Sequence, residues 1–285
     1  MSKERSVLKI VQGSETSDGA GVRLRRYIAS PELDMLDPFL LLDAFRSDNP
    51  DDYIAGFPPH PHRGFETVTY LLEGAMRHRD SAGHEGVIRS GGVQWMTAAS
   101  GIEHSEMPEQ VDGMLYGFQL WVNLPANKKM SAPRYQEFEP EQMALEQRGS
   151  DARIRVIAGV TSTGVGGMVK DIDSSPLYLD VELTQGAEFS EAIEQGHNAL
   201  LFVVSGVLEV RSDKSPQSVH AEQMAVLTEG DSLNLLATED ARFLLIAGKP
   251  FNEPVARYGP FVMNTEAEIK QAFADYRAGQ FGSIE

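Results

Sequence analysis

Two histidines flank a proline in HPHRGFETVTYLLEG, at His60 and His62, in a chain with only seven histidines among 285 residues. A second pair of candidate ligands follows in SGIEHSEMP, where His104 and Glu106 are again two positions apart. On an extended strand, residues i and i+2 share a face, so each pair presents two donor groups in one direction. If the two strands are neighbours aimed into one barrel, three imidazoles and one carboxylate can close on a cation. Such a set suits a divalent first-row metal such as Fe, Mn, Ni, Cu or Zn. An octahedral ion would keep two adjacent positions for a substrate or O2. The competing reading is plainer: His60 and His62 are solvated residues of a proline-rich turn, and H-x-E arises by chance.

The elements that would position these residues are strands. Short apolar runs recur along the whole chain, among them VRLRRYI, PFLLLDAF, ETVTYLL, LYGFQLWV, IRVIAGV and RFLLIAG, most of them bounded by Gly, Pro, Asp or Ser. That pattern predicts an all-β sandwich or barrel rather than alternating βαβ units. Helical signals are few. EPEQMALEQRG (139–149) is expected to hold two or three turns ending at Gly149. A clearer helix is C-terminal, where Thr265 and Glu268 form a capping box and Ile269, Ala272, Phe273 and Tyr276 fall on one face.

A weak internal repeat sharpens the question about the histidines. VTYLLEGAMRHRDS and LFVVSGVLEVRSD each end one strand at a glycine and start another, which reads as two copies of one β-barrel. Counting back from Gly74 reaches His60 and His62, whereas the same count from Gly206 reaches Ala192 and Glu194. A histidine pair needed by the barrel as such would occur in both copies. The second barrel, about 150–262, is expected to hold no metal. The polar stretch near 126–150 reads as the connection between the copies.

Composition excludes several function classes. A net charge of −17 repels phosphate backbones and anionic membranes, so no direct nucleic-acid partner and no membrane surface is expected. Without cysteine there is no disulfide, thiolate site or Cys nucleophile. The N-terminal residues lack the apolar core of a signal peptide and no run approaches the length of a membrane span, so a cytoplasmic protein is expected.

Other candidates carry less. His78 and His84, in the charged segment RHRDSAGHEG, read as exposed, and His197 and His220 as surface residues of the second copy. Trp95 and Trp121 lie among apolar neighbours and read as core, with Trp95 a candidate for the pocket wall. TSTGVGG (161–167) has no following Lys-Ser/Thr and no βαβ frame, so it reads as a turn rather than a phosphate loop.

HPHRGFETVTYLLEG, QWMTAASGIEHSEMP, FQLWVNLP, LDPFLLLDAF and GPFVMNT closely resemble the pirin family of bicupins, over nearly the whole chain. The resemblance implies two cupin barrels of jelly-roll type with a C-terminal helix. It places a metal-binding N-terminal barrel at 1–135, and a metal-free C-terminal barrel plus helix at 136–285. It implies one divalent metal on His60, His62, His104 and Glu106, iron(II) being expected and Mn, Ni, Co, Cu and Zn the alternatives. The ordinary cupin pattern would take its carboxylate from Glu66, which stays open as an alternative ligand or a support. Glu103 beside the site is expected to point away. The activity implied is that of a quercetin 2,3-dioxygenase, taking a phenolic or enolic substrate and O2, with Glu106 as the catalytic base. A metal-binding regulatory protein with a protein partner is the rival the same family implies.

Overall fold

The computed structural model describes residues 3–284. The chain forms two compact β units, and among the described residues there is one α-helix, near the C-terminus. The first unit comprises Ser14–Ser30, Phe39–Glu141 and the segment from Phe251 on. Its larger sheet runs in the order Arg134–Phe138, Val93–Thr97, Phe65–Glu73, Leu115–Asn123, Phe39–Ser47, Val22–Ile28, Ser14–Asp18. Its smaller sheet runs Phe57–His62, Ile102–Pro108, Ala75–Asp80, Glu85–Arg89. Every ladder in both sheets is antiparallel.

The second unit repeats this plan, with a larger sheet of seven strands and a smaller one of four. It is a second barrel of the same kind, as the repeat predicts. The two differ in what fills them. Counting back from Gly74 and Gly206, Thr67 and Thr69 of the first barrel match Ala199 and Leu201 of the second. Ala199 and Leu201 belong to an apolar core that also takes in Leu179, Val181, Val203, Phe243 and Leu245. Polar side chains at the matching positions leave the first barrel an interior that can hold polar groups. Ala192 and Glu194, the counterparts of His60 and His62, are exposed.

Strand pairing corrects the linear division at 135/136. The position that Arg134–Phe138 fills at the edge of the first barrel's larger sheet is filled in the second barrel by Val7–Val11, paired to Met224–Leu227. The segment up to Gly13 and Pro31–Pro38 therefore group with the second unit, and the C-terminal segment with the first. A sequence repeat shows which segments are alike; it does not show which sheet an edge strand joins.

The helix expected over 139–149 is also absent. A 3-10 turn at Pro140–Gln142 leads into the strand Ala144–Arg148, which pairs with Ala152–Ala158. Glu146 is buried on that strand because Arg148 pairs with it and Thr163 Oγ1 donates to it at 2.7 Å. Helix Glu266–Arg277 carries the expected capping box: Glu268 N donates to Thr265 Oγ1, and Thr265 N donates to Glu268 Oε2. It buries Ile269 and Ala272 against Phe261, Met263 and Phe281.

Candidate metal centre

Phe57–His62 and Ile102–Pro108 are hydrogen-bonded neighbours, with His60 opposite His104 and His62 opposite Ile102. The register slips between His104 and Glu106, so Glu106 faces Phe57 on one side and His78 on the other. His62, His104 and Glu106 are buried, and His60 is half-buried. One ring nitrogen from each of His60, His62 and His104 lies within 4.8 Å of the others.

The chain that leads out of His62 is tightly held. Gly64, at φ +88°, turns into Phe65–Glu73 where an added Cβ would meet Val262 O at 1.9 Å. Only glycine fits there. Arg63 is buried beside it, donating from Nε to Ser100 O and from Nη1 to Asp275 Oδ2, both at 2.6 Å. Lys129 Nζ donates to Gly64 O at 2.7 Å. These bonds fix the backbone that aims His62.

Hydrogen bonding sets the direction of the imidazole lone pairs. His60 Nδ1 donates to Pro58 O at 2.8 Å and His62 Nδ1 to Pro260 O at 3.4 Å. A carbonyl oxygen can only accept, so in the neutral rings the lone pairs sit on Nε2. Those two Nε2 atoms are 3.0 Å apart. Facing lone pairs at that distance repel, and a cation between them turns the repulsion into two bonds. Both ring nitrogens of His104 are buried without a hydrogen-bond partner, although such groups are costly to leave unsatisfied. Burial and the neighbouring His60 hold His62 and His104 well below the usual histidine range, which keeps them in the neutral form that binds metals. These residues fit a divalent cation.

Glu106 stands apart from the three-nitrogen cluster. Its Oε1 accepts from Thr69 Oγ1 at 2.5 Å and its Oε2 from Gln119 Nε2 at 2.9 Å. Glu66 is buried, accepting at Oε1 from Thr97 Oγ1 at 2.7 Å, and is likewise outside the cluster. Glu103 points away as expected, toward Tyr276 Oη and Ile284 N. The residues that orient Glu106 were missed in the sequence. Their signal was there: Thr69 lies between Val68 and Tyr70, and Gln119 between Phe118 and Leu120, polar side chains among apolar neighbours.

A cavity of about 690 Å³ opens onto the cluster, lined by His60, His62, Glu106, Gln119 and Trp121, with Phe45, Phe57 and Pro58 on its walls. Trp121 lines it, whereas Trp95 is buried in the core. Two other expectations need correction. His78 is fully buried; its Nε2 donates to the buried Asp80 at 3.0 Å, and its ring packs 5.4 Å from His104. His197 is buried too, beside Glu194. For His78 the charged neighbours misled, because alternation sends Arg77 and Arg79 to the opposite face of the strand Ala75–Asp80; His197 lies in the loop before Asn198–Ser205, where no strand alternation marks its burial. His84, partly exposed, also donates to Asp80, and His220 is exposed as expected.

Fold and site together define a protein of two cupin barrels with a three-histidine cluster of the kind that holds a divalent metal. Residues 21–122 match the Pirin family and residues 178–282 the Pirin C-terminal cupin domain. The chain belongs to the pirin family. It is 52% identical to a pirin-like protein of Caulobacter vibrioides, over 97% of this chain and 99% of that one. It is 43% identical to the pirin of Homo sapiens, over 99% of this chain and 96% of that one. Among solved structures, a quercetin 2,3-dioxygenase from Acinetobacter baumannii superposes with a TM-score of 0.89 at 35% identity, covering 99% of this chain and all of the other. No described helix is long and apolar enough to cross a membrane.

Proposed function

We propose that this protein is a metal-dependent dioxygenase that cleaves a flavonol such as quercetin with O2 in the cytoplasm. His60, His62, His104 and Glu106 would hold one divalent metal, iron(II) by preference over Mn, Ni, Co, Cu or Zn. The observation that carries the reading is the pair of Nε2 atoms 3.0 Å apart beside the unpartnered ring of His104, open to a cavity of aromatic and proline walls. A bound metal would lower the pKa of a flavonol hydroxyl and supply the redox partner for O2. Three neutral imidazoles and one carboxylate leave a divalent site with one net positive charge, which favours the flavonol as its anion.

The residues around the cavity divide the remaining work. Glu106 lines it and is the candidate base for the 3-hydroxyl proton. Thr69 and Gln119 hold that carboxylate in place. Phe45, Phe57 and Trp121 offer faces and edges to a flat ring system and exclude water from it.

The test is O2 uptake with quercetin and bleaching of its long-wavelength absorbance. It is run on separately loaded Fe, Mn, Ni, Co and Cu forms, because copper and nickel fill nitrogen sites adventitiously. Turnover above free metal is expected with at least the iron form, and Glu106→Gln should lower kcat by about 100-fold, as expected for loss of a general base. A second reading, a metal-binding regulatory protein acting through a basic partner, is favoured by the net charge of −17. Co-purification of such a partner, with no turnover by any metal form, would establish it instead.

A further inference from the structure

A neutral histidine that binds a metal through one ring nitrogen keeps a proton on the other, and an acceptor for that N–H fixes the ring. His60 and His62 have their acceptors in Pro58 O and Pro260 O. His104 has none, since both of its nitrogens are buried without a hydrogen-bond partner. His78 Nδ1 is in the same condition, and the His78 and His104 rings are neighbours, 5.4 Å apart between centroids.

The His78 ring is held at its other edge. Its Nε2 donates to Asp80 Oδ2 at 3.0 Å, where His84 Nδ1 also donates at 3.0 Å. Asp80 Oδ1 accepts from Ala82 N at 2.9 Å and from His84 N at 3.0 Å. Four donors fill the lone pairs of this carboxylate, so it has no proton to give and His78 Nε2 must carry its own. In the neutral ring the lone pair then sits on Nδ1. Tyr135 stacks on the same ring, 4.7 Å between centroids and 23° between planes, and fixes its orientation.

We propose that His78 is the positioning residue of His104: its Nδ1 accepts a hydrogen bond from whichever His104 nitrogen does not take the metal. No hydrogen bond joins the two rings in this structure, and their separation is within reach of one of about 3 Å. Asp80, drawing on the His78 N–H, makes Nδ1 a better acceptor and His104 a stronger metal ligand. The inference rests on the cluster being a metal centre, and it holds whichever reaction that centre carries out.

The test uses the full chain loaded with Zn(II), which is diamagnetic, with histidine-selective 15N labelling. A scalar coupling across an N–H···N bridge between the His104 and His78 rings is expected, with His78 as the Nε2–H tautomer. Zn(II) affinity, measured by competition with a chromophoric chelator, gives an independent reading. Asn places an acceptor oxygen where His carries Nδ1, whereas Phe keeps a ring and offers no acceptor. His78→Asn should bind Zn(II) within about threefold of wild type and His78→Phe at least about 10-fold more weakly, with shifted visible bands in its Co(II) form. Because His78 is fully buried, the coupling in wild-type protein decides the matter if either variant fails to fold. A Zn(II) complex without the coupling, or a folded His78→Phe protein that binds as tightly as wild type, would overturn the inference and leave the metal centre standing. Wild-type protein that binds neither Zn(II) nor Co(II) would overturn both.

Discussion

His60 and His104 face each other across one antiparallel strand pair, their ring centroids 4.4 Å apart. This register makes a cluster out of two short sequence motifs some forty residues apart. A slip of one residue would turn one ring out of the barrel and leave the other without a partner.

Thr69 and Gln119 hold Glu106 where it can serve the site, and that support should be separable from the imidazoles. Thr69→Val keeps the shape of the side chain and removes its hydrogen bond to Oε1. Outer partners of this sort change metal affinity by about 10- to 100-fold when lost. A metal titration of Thr69→Val should show at least the lower figure, with an unchanged circular dichroism spectrum. Affinity equal to wild type would mean that Glu106 is indifferent to its orientation.

Arg63 and Asp275 join the backbone next to His62 to the C-terminal helix through a buried ion pair at 2.6 Å. Arg63 also lies over the Phe281 ring. Removing one partner of a buried pair strands the other and costs about 3–5 kcal/mol. Asp275→Ala should therefore lower the unfolding midpoint substantially, and Arg63→Met with Asp275→Leu together should recover much of the loss. Chemical denaturation of the two variants beside wild type checks this; single and double variants of equal stability would contradict it.

Lys129 supplies a pH dependence with a definite sign. It is buried, donating to Gly64 O, Asn123 Oδ1 and Val262 O. Burial away from water pulls its pKa down to about 8, from an ordinary 10.5. Between those values the unfolded chain binds more protons than the folded one, so this group adds stability as pH rises from about 8 to 10.5. Below about 8 the desolvation cost is felt in full. Measured against Lys129→Met, the wild-type protein should gain relative stability between about pH 7.5 and 9.5. A difference that stays flat across that window would contradict the assignment.

The sequence disclosed the site better than the connections between strands. His60, His62 and His104 were legible because alternation and turn glycines are local signals. The repeat was legible too, and with it the expectation that the second copy lacks the histidines. What could not be read locally was decided by tertiary choice. Val7–Val11 completes the second barrel although it begins the chain, and Ala144–Arg148 is a strand despite its helical composition. His78 looked solvated between two arginines, yet on a strand its neighbours point the other way.

The most direct test of the account is the metal content of protein purified from its native host, measured by elemental analysis beside His104→Ala. The variant removes one imidazole from the inside of a barrel whose strands it does not otherwise disturb. Wild-type protein should carry about one divalent transition metal per chain, and the variant should lose it, with affinity at least about 100-fold weaker. A folded His104→Ala protein that retains a full equivalent of metal would contradict the assignment.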